Sequence, residues 1–333
     1  MKNSKKFYLK LSFLKFSLLA ILLVFLGSCE KEEISNAQNL SAKDISTAEL
    51  RANFNKINSV HISSNRMSFE APTEISSGWT TFNYQNNTNS PHFFTLERLP
   101  EGQNANNWAN ELLPPFQDAM DAIILGDYPT AFKAFRRFPE WSASIEFKGG
   151  PGIINPGMMA TTTVNLSPGT YIIECYIKTP SGKFHASLGM FRQIIVTEND
   201  NGSEEPTEDF NVNISSTEGI KIMDKIKPGN RRIAVNFLDQ TVYANFLGHD
   251  VHLIRLEKGA DLEELNNCMN WFDPHGLMTP PPANFTFLGG TQEMPAGSTA
   301  YFSVLLKPGN YALIAEVPDP MSKGMLVTFS IPN

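Results

Sequence analysis

Four short motifs occur twice in this chain, in the same order, and that duplication restricts the fold more than any other feature of its 333 residues. Glu74-Ile75-Ser76-Ser77-Gly78 returns as Lys225-Ile226-Lys227-Pro228-Gly229, each a turn leading into an apolar strand. Phe94-Thr95-Leu96-Glu97-Arg98-Leu99 returns as Val251-His252-Leu253-Ile254-Arg255-Leu256, alike in alternation and in its Arg-Leu close. Gly149-Gly150 returns as Gly289-Gly290, and Leu166-Ser167-Pro168-Gly169-Thr170-Tyr171 as Leu306-Lys307-Pro308-Gly309-Asn310-Tyr311. The chain is therefore read as two copies of one unit, a first domain over 58–198 and a second over 210–333, with the acidic run 199–209 as linker. Its length suits two ordinary cores.

Each copy reads as mostly β. In Tyr171-Ile172-Ile173-Glu174-Cys175-Tyr176-Ile177 the odd positions point one way, which places Tyr171, Ile173, Cys175 and Ile177 on the core face. The same register turns Tyr311, Leu313, Ala315 and Val317 inward in the second copy, and Pro-Gly before each Tyr supplies a tight turn. Helical spacing interrupts the strands over 106–125, where Pro114-Pro115 is expected to break it, with a restart over 131–138 and a shorter version over 261–272. These insertions are expected to cover an open end of each sandwich. Phe132, Phe135 and Phe138 are read as core contacts at helical spacing.

Composition narrows the function. The formal charge of −7 includes five N-terminal lysines that precede Cys29 with no acid among them, so the body of the chain is more acidic still. Nucleic acid is excluded as a partner, since binding it draws on clustered Lys and Arg. No H-E-x-x-H, G-x-S-x-G, G-K-[ST] or C-x-x-C is present, so the chain is expected not to be an enzyme. Cys175 and Cys268 belong to different copies and are not expected to pair. His61 and His275 are read as surface residues.

The N-terminus reads as an address. Lys2, Lys5, Lys6, Lys10 and Lys15 precede an apolar run over 16–27, too short for a spanning helix of about 20 residues and right for a signal peptide over 1–28. Leu26-Gly27-Ser28-Cys29 resembles the bacterial lipobox, which implies lipidation at Cys29 and attachment to a membrane. Glu30-Lys31-Glu32-Glu33 resembles the acidic export tag of Bacteroidetes lipoproteins, which implies display on the outer membrane at the cell surface. The remainder of 29–57 reads as a tether.

Three further segments carry a second resemblance. Asn86-Asn87-Thr88-Asn89-Ser90-Pro91-His92 is similar to the cupredoxin segment bearing the first copper-binding His. Gly169 through Cys175 is similar to the strand that ends at the copper Cys, and His185 with Gly189-Met190 to the second His and the axial Met. The chain thus resembles a mainly β protein with two tandem cupredoxin-like (plastocyanin-type) Greek-key β-sandwiches. The resemblance implies a type 1-like copper site with His92, Cys175 and His185 equatorial and Met190 axial, suited to one-electron transfer or copper handling. One departure stands out: nine residues separate Cys175 from His185, where the family has only a few. In the second copy His249 and Met325 match His92 and Met190, but Ala315 replaces the Cys and no His lies before Met325, so that copy holds no copper ligand set. Ala315 also leaves open the reading of Cys175 as a buried apolar filler. The alternative function is a metal-free surface module that binds a protein or glycan through its loops and helices.

Overall fold

The computed structural model describes residues 58–332. The signal peptide, the lipidated Cys29 and the tether expected over 1–57 lie outside the described residues. The first copy runs through β1 (Asn58–Ser64), β2 (Phe69–Glu70), β3 (Glu74–Asn86), β4 (Thr95–Arg98), β5 (Glu146–Phe147), β6 (Met159–Leu166), β7 (Gly169–Glu174) and β8 (Phe191–Asp200). The second runs through β9 (Phe210–Ser215), β10 (Gly219–Ile222), β11 (Gly229–Phe237), β12 (Val251–Leu256), β13 (Phe285–Thr291), β14 (Thr299–Leu306), β15 (Gly309–Ile314) and β16 (Leu326–Ile331).

Strand β3 builds both layers of the first sandwich. Residues 74–77 pair in parallel with β8, and residues 78–85 pair antiparallel with β6. The strand changes layer at Gly78, whose φ of +96° is one that side chains rarely adopt. Between the layers Phe94 meets Phe82 and Tyr84 edge-on, at ring separations of 5.7 and 5.3 Å. The two Pro-Gly-x-Tyr turns match in detail: Tyr171 donates its hydroxyl to the Ser167 carbonyl at 2.8 Å, and Tyr311 to that of Lys307 at 2.7 Å.

The copies share main chain hydrogen bonds. Strand β14 pairs with β6 through Tyr301↔Thr163, Phe302↔Thr162 and Ser303↔Thr161, so both layers of the first sandwich, continuous through β3, and one layer of the second belong to a single 12-stranded sheet. The repeated glycines lie where the copies cross. A Cβ on Gly150 would stand 2.2 Å from the Phe94 carbonyl oxygen, and one on Gly290 would stand 2.1 Å from that of Val251.

The helical insertion differs from the sequence expectation in one respect. Helical main chain passes without a break through Ala105–Asn107 and a π-helical turn Trp108–Leu112 into α1 (Leu113–Ile124). Pro114 and Pro115 occupy the first turn of α1, where no amide hydrogen is needed, so they begin a helix rather than break one. Helix α2 (Tyr128–Phe135) starts earlier than expected because Asp127 caps it, accepting from the Thr130 amide at 3.1 Å. Helix α3 (Leu262–Cys268) is its short counterpart. Phe135 is buried, but Phe132 is 48% exposed and is not a core contact.

The insertion also changes what β7 meets. Alternation assigns Ile172 to the outer face of its sheet, yet it is fully buried against Trp108, Leu99 and Ala186. The helix covers that face, and every residue from Tyr171 to Lys178 is enclosed.

Candidate metal centre

Three segments bring His92, Cys175 and His185 together. Asn86, wholly buried at the end of β3, ties the following loop: its Oδ1 accepts from the Thr88 amide and hydroxyl, and its Nδ2 donates to the Ser90 carbonyl at 2.8 Å. His92 then exchanges main chain hydrogen bonds with Ile154, at 3.2 and 2.9 Å, which fixes the ring over the core. Cys175 is the residue after β7, and its amide donates to the Met190 carbonyl at 3.2 Å.

The nine-residue departure is a β-hairpin that returns in register. Thr179 and Lys183 pair across its tip, Lys178 bridges to Phe184, and the His185 amide donates to the Ile177 carbonyl at 2.8 Å. The Ala186 amide donates to the Cys175 carbonyl at 2.9 Å, so the outgoing and returning legs are matched and His185 lands beside Cys175. A single 3-10 turn, Ala186–Leu188, closes at Gly189 with φ +101°, and Met190 donates to the His185 carbonyl at 3.0 Å. Met190 is fully buried and bonded through its main chain to both neighbours.

The donor atoms converge. His92 Nδ1 and His185 Nδ1 are 3.1 Å apart, and the Cys175 Sγ lies 3.6 and 3.7 Å from them. A trigonal ion at about 2.0 Å from each nitrogen and about 2.3 Å from sulfur requires edges of about 3.5 and 3.7 Å. The triangle fits such an ion with shifts of a few tenths of an ångström. All three side chains are fully buried, and neither imidazole Nε2 has a hydrogen-bond partner, so packing and the Nδ1 contacts orient the rings. Burial, with His185 close by, lowers His92 to about 3, and burial lowers His185 to about 4. Both rings are neutral at physiological pH, as ligands must be. Burial pushes the Cys175 thiol up to about 12, a cost that a bound cation removes by favouring thiolate.

Asp250, His252 and Glu316 form a second buried group with ligand atoms in mutual reach. Its imidazole is already committed: Nδ1 accepts from the Ile153 amide at 3.1 Å, and Nε2 donates to Asp250 Oδ2 at 2.7 Å. No lone pair remains for an ion. The group instead knits the two copies, with Tyr176 donating to Glu316 Oε2 at 2.9 Å and the Glu316 amide donating to Asp250 at 2.6 Å. Burial, and Asp250 beside it, hold the Glu316 carboxyl well above its usual range.

In the second copy the Ala315 amide donates to Met325 and the Met325 amide to Pro320, the same pattern that links Cys175, Met190 and His185. Pro320 therefore stands where His185 stands. His61 and His275 are exposed, and Cys175 and Cys268 are both buried free thiols. Sequence reasoning missed Lys178, fully buried in the ligand hairpin, because its partners lie 93 and 95 residues away and left no local signal.

No family model matches the chain, and no curated protein matches it. Solved structures do. Auracyanin from Roseiflexus castenholzii is 19% identical over 42% of this chain and 97% of its own, with a TM-score of 0.25. A multicopper oxidase is 14% identical over 82% of this chain and 87% of its own, with a TM-score of 0.22. A copper nitrite reductase from Thermus scotoductus is 13% identical over 82% of this chain and 61% of its own, with a TM-score of 0.21. The last two are by name an oxidase and a reductase, and the expectation that this chain is not an enzyme is withdrawn. The chain's own strands make it a mainly β protein of sandwich-like sheets with a helical insertion.

Proposed function

We propose that the first domain binds one copper ion through His92, Cys175 and His185, with Met190 as the axial ligand, in a type 1-like centre. The observation that carries this reading is the convergence of two imidazole nitrogens and one thiol sulfur, from three separate segments, at 3.1 to 3.7 Å in a fully buried position. Copper in such a ligand set supplies one-electron transfer with little rearrangement. The chain's own residues would keep that change small. Asn86 and Ile154 hold His92, the hairpin holds His185, and the enclosing core keeps water from the sulfur. Full-length protein given Cu(II) is expected to show intense visible absorption from copper thiolate. A colourless protein in which Cys175→Ala leaves copper affinity unchanged overturns the proposal.

The same proposal places the chain on the outer membrane, anchored by a lipid on Cys29 and facing the cell exterior, where a redox or copper-handling partner would meet it. The lysine-rich start, the apolar run and Leu26-Gly27-Ser28-Cys29 support this reading. Labelled fatty acid is expected to enter the wild type and not Cys29→Ala, and protease added to whole cells is expected to remove the protein. Label retained in Cys29→Ala rejects the anchor.

A further inference from the structure

We propose that the second domain is the clamp that fixes His185 opposite Cys175, with Lys178 as the positioning residue through which it acts. This inference rests on the copper reading above. The second copy joins Ala315 to Pro320 with four intervening residues, whereas the first joins Cys175 to His185 with nine. The longer loop has more conformational freedom to lose, and a ligand on its returning leg stays in place only if the hairpin is held.

Lys178 is where it is held. Its amide donates to the Leu277 carbonyl at 2.7 Å, and its carbonyl accepts from the Thr279 amide at 2.8 Å and hydroxyl at 3.1 Å. Its ammonium, fully buried, donates to the Trp271 and Asp273 carbonyls at 2.7 and 2.5 Å. Every one of these partners belongs to the second copy. A buried amine is costly unless its donors are satisfied, and burial lowers this one to about 7. Only a long side chain with several donors can reach two carbonyls of one loop.

The contact passes on to the ligand. Lys178 bridges to Phe184, whose ring meets Trp271 edge-on at 5.8 Å, and Phe184 directly precedes His185. From the opposite side Gln117 of α1 accepts from the Phe184 amide at 2.9 Å and donates to the Gly182 carbonyl at 3.2 Å. The hairpin is gripped between its own domain's helix and the neighbouring domain. Docking and copper binding are then linked, and the coupling acts in both directions.

Two measurements on the full chain test this. Lys178→Met keeps the apolar stem and removes the donors. It is expected to release copper at least tenfold faster than wild type and to shift the visible and electron paramagnetic resonance spectra of the ion, with Lys178→Arg recovering part of both. In the wild type, copper is expected to slow hydrogen exchange at the Lys178 and Thr279 amides at least tenfold, a readout that does not depend on any variant folding. A folded Lys178→Met with unchanged spectra and release rate overturns the clamp, as does exchange at those amides that ignores copper. A wild type that takes up no copper is a different result, and it ends the copper reading and the clamp together.

Discussion

The two copies fill the same four positions with different chemistry. In the first, the donor atoms of His92, Cys175 and His185 converge, Met190 is buried beside them in the chain, and neither imidazole Nε2 has a hydrogen-bond partner. In the second, the positions hold His249, Ala315, Pro320 and Met325, and the hydroxyl of Tyr243 sits among them, 3.2 Å from His249 Nδ1 and 3.8 Å from the Met325 sulfur. His249 Nε2 meets the Asp239 carbonyl at 3.0 Å, so both its nitrogens are satisfied by protein. One fold thus supports two outcomes. Where a tyrosine supplies the partner, the ring is a structural part; where the Nδ1 atoms face only each other and a thiol sulfur, they are left for an ion to join.

The sharpest way to break the comparison lies where the copies are still alike. Gly150→Ala and Gly290→Ala each drive a Cβ into a carbonyl oxygen, at 2.2 and 2.1 Å, from a backbone with φ of +124° and +132°. Each is expected to cost more than about 4 kcal/mol, read as loss of soluble protein or of a cooperative urea transition. If either variant stays within about 1 kcal/mol of wild type, the close approach of that glycine to the neighbouring strand of its own copy is wrong.

Next in size is conversion of one copy toward the other. Cys175→Ala gives the first copy the residue of the second and removes the one thiol among the four candidate ligands. Copper affinity is expected to fall by more than about 100-fold, beyond what loss of an outer-shell partner costs, and the thiolate absorption to vanish. The reverse change, Ala315→Cys, is expected to create no copper site, since Pro320 offers no imidazole and Tyr243 still fills the space. Copper titration followed by absorption reads both, and a coloured Ala315→Cys second copy would mean that the cysteine alone decides.

A smaller effect separates the roles of the two histidines. Tyr243→Phe strips His249 Nδ1 of its partner in a buried place, at a cost of about 1 to 3 kcal/mol in urea unfolding, while the copper spectrum of the first copy stays as it was. Unchanged stability would show that the hydroxyl is not what settles His249.

Much of this comparison was legible in the residues themselves. The repeated Pro-Gly-x-Tyr turns marked equivalent strands, and His92, Cys175 and His185, which the structure brings together, were already candidates from the cupredoxin resemblance. What local pattern does not carry is what a second layer does to a strand. Alternation placed Ile172 outward, and it is buried because Trp108 folds back over it. The pairing of β14 with β6, the docking of Lys178 and the hydroxyl of Tyr243 all join residues far apart in the chain, where neither period nor turn chemistry leaves a trace. The equivalence of Pro320 and His185 became visible only through matched main chain hydrogen bonds, because an insertion of unequal length hides it from alignment by spacing.

The least of the expected effects concerns pH, and it sets the metal centre against the seam between copies. In the metal-free chain His92 and His185 are lowered to about 3 and 4 from an unfolded value of 6.5, so the unfolded chain binds more protons between those limits. Their contribution to stability is complete above about 6.5 and is lost as pH falls through 4 and then 3. At the seam, burial raises Glu293 to about 8 from 4.5, with the Gly248 amide opposing, so there the folded chain holds the extra proton. That contribution is complete below 4.5 and is lost as pH rises through 8; since the two histidines outweigh it up to about 6.5, these three groups together favour the metal-free fold most near pH 6.5. Glu293→Gln is neutral at every pH, and it is expected to flatten the descent from pH 6.5 to 8 by up to one proton, about 1.4 kcal/mol per pH unit, while leaving the rise below pH 6.5 in place. Urea midpoints across that range decide it: a descent as steep as wild type would mean that Glu293 is already ionised in the fold and that the seam does not hold its proton.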